Sequence, residues 1–308
     1  MFHDPEIFKT VLDHMPVGIY MVDLDLKIVF WSREAEKISG YRAADVIGRQ
    51  CREKLLVDID AENPVACGEA CQLRDSMRDG QPKEADVFLL HRAGHRVPVH
   101  VRAIPLRNSR QKIIGAAESF EDVRFLGTRN RRDRRSQVSV EVDQRTELPD
   151  IASGLARLSE CCADFAKHQN LFSVLIAEVD GLAEFTAVHG KEAAEAALRV
   201  VGRTLCNAVR PDDFVGHADA GRFIAILKDC DDLVARKVGE RVRRMERSSE
   251  LEWWGDELFF TVSLGAAIVT PEDTAETLLQ RAEDAVQRSV AAGGDRVTVP
   301  GAGENSQL

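Results

Sequence analysis

Arg210 and Asp213, three residues apart, stand ahead of a small-residue turn at Ala220-Gly221 and the apolar run Arg222-Phe-Ile-Ala-Ile-Leu227. A guanidinium offers a planar fork of donors that suits a phosphate or the edge of a guanine. Asp213 adds acceptors on the same local structure, able to take guanine N–H groups. Backbone that bends sharply at Gly221 can approach a ligand closely. The plainer reading of such a pair is an arginine at a helix end capping carbonyls. A second set of reactive side chains is Cys51, Cys67 and Cys71, followed by His91 and His95. Three thiolates and an imidazole satisfy a tetrahedral zinc site or ligate another soft metal. The same cysteines serve equally well as small buried apolar residues. Their spacing, fifteen and then three intervening residues, is not the tight Cys-x-x-Cys knuckle, so both readings stay open.

The elements that must position these groups fall into two sets, as 308 residues at 44% hydrophobic and 30% charged content allow for two soluble domains. The longest apolar runs are of strand length, too short to span a membrane, and the N-terminus carries no secretory pattern. A cytoplasmic location and no membrane insertion are therefore expected. The net charge of −10 argues against nucleic-acid binding. Seven cysteines in such a chain do not suggest disulfides. Arginines crowd residues 124–135, as in a solvated linker or a contact for an acidic partner. No heptad is sustained from 124 to 142, so a coiled-coil stalk is not expected. The boundaries read from the sequence are a first domain at 1–124, a linker at 125–142, a second domain at 143–300 and a disordered tail at 301–308.

In the first domain, Asp4 is placed to cap a helix reaching about His14. Strands are expected at 18–23 and 27–31, and short helices at 34–39 and 43–47 closed by Gly40 and Gly48. Three further strands, 84–91, 95–105 and 113–120, follow an irregular middle. This order, carried by GIYMVDLDLKIVFWSREAEKISGYRAADVIGRQC and ADVFLLHRAGHRVPVHVRAIPL, resembles a PAS sensor domain. The resemblance implies a five-stranded antiparallel sheet with short helices, a tendency to form homodimers, and a small ligand on the inner sheet face that the sequence does not name.

From Thr146-Glu-Leu-Pro-Asp150 onward the chain reads as helix 150–168, strand 172–180, helices 181–189 and 191–208, strand 222–227, helix 232–248, strand 258–269, helix 274–291 and strand 296–299. Trp253 and Trp254 ahead of Gly255 predict a hairpin packed onto the sheet. Together with Arg210-x-x-Asp213 and, after five residues, Asp219-Ala-Gly-Arg-Phe223, the segment 143–300 resembles the GGDEF family, the diguanylate cyclases. The overall class is α+β, a PAS fold followed by a palm-like α/β sandwich of the nucleotidyl-cyclase type.

What the resemblance implies at each position is uneven. The family's metal-binding acids fall on Glu178 and Gly221, and the neighbouring hairpin acid on Arg222. Its guanine-reading residues fall on Thr186 and Glu195, and its phosphate-binding Lys and Arg on Val290 and Gly294. Glu178, Asp180 and Asp219 remain as acids, with Asp180 expected to cap the next helix and Asp219 to sit in a turn. The family's product site, Arg-x-x-Asp, is intact, and its helper arginine, which often comes from a neighbouring subunit, matches Arg241, eighteen residues past Phe223. The expectation is a vestigial catalytic site and a receptor for cyclic di-GMP under PAS control, acting on a downstream protein that the sequence does not identify. The alternatives are a PAS-paired scaffold without a nucleotide ligand, and a residual cyclase joining two GTP molecules.

Overall fold

The computed structural model describes residues 5–51, 71–123 and 142–300. Cys67, the cap at Asp4, the arginine-rich segment up to 141 and the tail 301–308 lie outside them. The chain divides into two compact units, Met1–Arg134 and Arg135–Leu308. Among the described residues no helix is long and apolar enough to cross a membrane.

The first unit runs α1 (Pro5–His14), β1 (Gly18–Val22), β2 (Ile28–Trp31), α2 (Arg33–Ser39), α3 (Ala43–Val46), α4 (Gln72–Asp79), β3 (Lys83–Leu90), β4 (Arg96–Arg107) and β5 (Ile113–Asp122). The strands form one sheet in the order β2-β1-β5-β4-β3, every pair antiparallel. Ser32 starts α2 by accepting from the N–H of Ala35, and its hydroxyl also takes the N–H of Ile19. Gly40, at φ 76°, ends the helix in the left-handed conformation that a side chain would disfavour. Tyr20, Trp31 and Phe120 meet in the core with ring centroids 5.5 to 6.2 Å apart. The Tyr20 hydroxyl donates to buried Glu118 at 2.8 Å. Cys51 and Cys71 are both buried in this apolar cluster.

The second unit runs α5 (Ile151–His168), β6 (Phe172–Val179), α6 (Leu182–His189), α7 (Lys191–Ala208), β7 (Phe214–Asp219), β8 (Arg222–Lys228), α8 (Asp232–Arg247), β9 (Leu251–Trp253), β10 (Asp256–Leu258), β11 (Val262–Ile268), α9 (Ala275–Ala291) and β12 (Val297–Thr298). Its main sheet has the order β12-β11-β6-β8-β7, antiparallel except for the parallel β11–β12 pair. Period-two alternation sorts the side chains. Val174, Ile176, Ile224 and Ile226 pack with Leu158 and Phe165 of α5 and Leu278, Ala282 and Val286 of α9. Phe223 lies on the other face, where α7 comes close at Gly202; a Cβ there would stand 3.2 Å from the Phe223 ring.

Two sequence expectations change here. The strand expected at 258–269 is broken at residues 259–261, and β9 and β10 pair as a separate two-stranded sheet. The left-handed residues Trp254 and Gly255 form its turn, which projects Trp254 outward at 91% exposure instead of packing it onto the main sheet.

The entry segment is fastened to β7 by Asp143. Its carboxylate accepts from the N–H groups of Arg145 and Thr146 and from the Thr146 hydroxyl, and lies 3.2 Å from Nδ1 of buried His217. The His217 N–H donates to Pro149 O at 2.8 Å. Burial works against the charge of Asp143, but the bonds from Arg145 and His217 hold its pKa well below the usual carboxylate range. β7 is the strand that joins Asp213 to the hairpin turn, so this anchor fixes both halves of the candidate site.

Candidate functional site

Arg210 follows the last turn of α7, and Asp213 precedes β7. The Asp213 carboxylate takes the Arg210 N–H at 2.9 Å through one oxygen and the Lys228 N–H at 3.0 Å through the other. Asp213 therefore ties the loop to the end of β8 and keeps lone pairs for a ligand. Its backbone N–H donates to Arg210 O at 3.0 Å, closing the turn. The sequence reading of this loop as a ligand site did not foresee that Asp213 also builds the loop.

The two residues and Arg241 line one cavity of about 260 Å³, together with Lys228, Cys230 and Lys237. Arg241 reaches it from α8 of the same chain, so no neighbouring subunit is needed to bring it there. Its Nε is buried and makes no hydrogen bond within the protein. Burial first, and then the like charge of Arg210, push its pKa below the ordinary arginine value, while Asp213 opposes them. Four cationic side chains thus line one cavity with a single carboxylate. Such a site is matched by an anion carrying several acceptors. Lys228 and Lys237 were not singled out in the sequence. Lys237 lies four residues before Arg241, a helical spacing that put both on one face and was there to be read.

The other candidate site is at the far end of β6 and β8. Glu178 stands directly opposite Arg222 in the β6–β8 register, and Gln287 of α9 donates to its carboxylate at 3.2 Å. Arg222 clasps Asp219 through two nitrogens at 2.7 and 2.6 Å across the hairpin turn. Gly221 has φ 100°, and a Cβ added there would lie 2.5 Å from Leu182 Cδ2. Leu182 gave no sign of this role in the sequence.

Asp180 does not cap α6, whose N-cap is Gly181. Its carboxylate accepts instead from Thr261 Oγ1 at 2.7 Å, Ser263 Oγ at 2.6 Å and the Asp295 N–H at 2.9 Å. It therefore pins β11 and the loop before β12 to the end of β6. Gly294, at φ 73°, lies against this carboxylate. The Thr186 hydroxyl is turned back onto Leu182 O at 2.6 Å, and Glu195 is 3.7 Å from Lys191. Val290 remains 37% exposed and apolar.

Comparison with known proteins now bears on this arrangement. The family described as "Diguanylate cyclase, GGDEF domain" matches residues 140–296, just over half of the 308. The chain belongs to the GGDEF family. A PAS fold matches residues 6–123 ahead of the GGDEF domain. The probable diguanylate cyclase DgcE of Escherichia coli is 24% identical over 301 residues, 97% of this chain and 26% of that protein. The diguanylate cyclase DosC of the same species is 29% identical over 126 residues, 41% of this chain and 27% of that protein. The chain thus spans about a quarter of the length of these curated relatives. Among solved structures, the coiled coil and GGDEF domain of DgcB from Caulobacter crescentus in complex with c-di-GMP aligns with a TM-score of 0.50 at 21% identity, over 52% of this chain and 85% of that one.

Diguanylate cyclase chemistry uses divalent cations to neutralise phosphates and to activate the attacking hydroxyl. In this GGDEF domain the residues at the end of β6 and β8 do not fit such an ion. Gly221 supplies no side-chain oxygen and its carbonyl already accepts from the Val179 N–H, Arg222 sets a cation opposite Glu178, and Glu178 accepts from an amide of Gln287. Among the described residues no three His, Cys, Asp or Glu side chains are grouped to hold a metal. The metal reading of Cys51, Cys67 and Cys71 turns on Cys67, which lies outside those residues; His91 and His95 stack on each other with centroids 4.3 Å apart.

Proposed function

We propose that the protein is a signalling receptor in which a GGDEF domain without cyclase activity binds cyclic di-GMP through Arg210, Asp213 and Arg241, with the PAS domain as its input. The observation that carries this reading is the convergence of Arg210, Arg241, Lys228 and Lys237 on one cavity whose single carboxylate, Asp213, is already fixed in place. Guanidinium forks suit both the phosphodiester oxygens and the acceptor edge of guanine, and Asp213 suits the N–H edge. At about 260 Å³, the space is just under the usual small-molecule range of roughly 300–1,000 Å³, and takes one base and phosphate with the rest of the ligand outside.

Calorimetric titration of cyclic di-GMP into the full chain tests this. Arg210→Ala and Arg241→Ala each remove charged hydrogen bonds of about 1.5–3 kcal/mol, so affinity falls by tenfold or more. Parallel incubation with GTP and Mn²⁺ releases no pyrophosphate. Absence of binding heat from folded wild-type protein refutes the receptor, and steady pyrophosphate release that Glu178→Ala abolishes restores the cyclase.

A second reading, pairing of chains through the PAS unit, is favoured by α1. Its Ile7, Phe8 and Val11, with Met15 just beyond, follow helical spacing and are all exposed. Sedimentation of the full chain against Phe8→Glu/Val11→Glu separates this scaffold role from nucleotide binding.

A further inference from the structure

We propose that Arg222 is a built-in substitute for the divalent cation at the end of β6 and β8, and that its charge keeps metal ions out. The hairpin turn at Ala220-Gly221 leaves Asp219 and Arg222 as flanking partners, and β8 then sets Arg222 across from Glu178. Cross-strand partners hold their Cβ atoms about 4.5–5.5 Å apart on one face of the sheet. Glu283 and Gln287, four residues apart on α9, share one helix face, and Gln287 reaches Glu178. The bond to Asp219 is the leading influence that raises the Arg222 pKa against the cost of desolvation, and the charges of Asp219, Glu283 and Glu178 add to it. A fixed monovalent cation therefore balances carboxylates that would otherwise attract a free one.

Leu182 completes the exclusion. Its Cδ2 occupies the space into which a side chain at position 221 would project, and the left-handed backbone there resists any L-residue. Charge and volume are thus both taken, by residues from different elements. Arg222 is part of a surface that is only partly shielded, with its side chain 32% exposed. At a water-like dielectric and a separation of about 5 Å, its charge weakens the binding of a divalent ion by roughly tenfold to twentyfold.

This inference is independent of the cyclic di-GMP reading, since the two sites share no residue and the failure of one leaves the other standing. The test is Mn²⁺ binding to the full chain, read from the electron paramagnetic resonance signal of the free ion. Arg222→Gln is expected to bind Mn²⁺ at least about tenfold more tightly than wild type. The gained site disappears in Arg222→Gln/Glu178→Gln, and Arg222→Lys, which keeps the charge, stays at the wild-type value. Arg222→Met repeats the test if the Gln variant does not melt cooperatively. Equal Mn²⁺ binding by wild type and the neutral variants, whether weak or strong, overturns the proposal. So does a gained site that survives Glu178→Gln.

Discussion

Gly221→Asp restores the acid that the GGDEF resemblance places at the hairpin, and the structure predicts that it damages the fold instead of repairing the site. An L-residue in the left-handed region costs about 1–2 kcal/mol relative to glycine. The backbone at Gly221 has φ 100°, and the new Cβ would lie 2.5 Å from Leu182 Cδ2. Leu182 must leave its rotamer or shift α6, at a further cost of about 0.5–1.5 kcal/mol. The sum is about 1.5–3.5 kcal/mol, which for a unit of this size lowers Tm by roughly 5–10 °C. Scanning calorimetry of the full chain reads the shift in the transition that belongs to the second unit. In a double-mutant cycle with Leu182→Ala, the clash appears as a favourable coupling of about 0.5–1.5 kcal/mol, while the backbone part remains. Gly221→Asn should be milder than Gly221→Asp, because asparagine visits this conformation more readily. A Gly221→Asp protein that melts with wild type, or zero coupling to Leu182, refutes the reasoning.

Two other perturbations separate structural acids from functional ones. Asp180→Ala strands two hydroxyls and one backbone N–H, so urea unfolding should give a loss of about 2–4 kcal/mol, with cyclic di-GMP affinity unchanged in the fraction that stays folded. Glu246, fully buried in α8 with both carboxylate oxygens lacking a partner, has its pKa raised by desolvation. Its proton is bound more tightly in the folded chain than in the unfolded one, so its contribution favours folding at low pH and is lost as pH rises from the ordinary carboxylate value toward the raised one. Chemical denaturation from pH 4 to 8 should show Glu246→Gln gaining on wild type across that window; parallel pH profiles would refute the assignment.

Much of the architecture was legible because it is local. Ser32 and Gly40 bracket α2 by capping chemistry that involves only near neighbours in sequence. The nearly unbroken apolar runs of β6 and β8 mark both as strands buried on two faces. The limits of that reading show at 251–261, where the hairpin expected at Trp253-Trp254-Gly255 forms but leaves Trp254 exposed, and the strand expected from 258 begins only at Val262. A tryptophan in that conformation carries no signal in composition, because the choice depends on how β9 and β10 pair.

The sequence by itself determined that two α+β units follow one another, that Arg210 and Asp213 share a loop, and that the hairpin lacks its acid. The first two follow from spacing, periodicity and residue type, which act over a few residues, and the third is what the GGDEF resemblance implies. Only the tertiary structure decided which distant side chains meet. Arg241 joins Arg210 and Asp213 in one cavity because α8 returns past the end of β8. Asp180 serves β11 and the loop at Asp295 in place of its own helix, because strand pairing brings Thr261 and Ser263 to it. Leu182 meets Gly221 because α6 packs across the turn. Side-chain direction and long-range packing set these contacts, and neither is encoded in the spacing of any single segment.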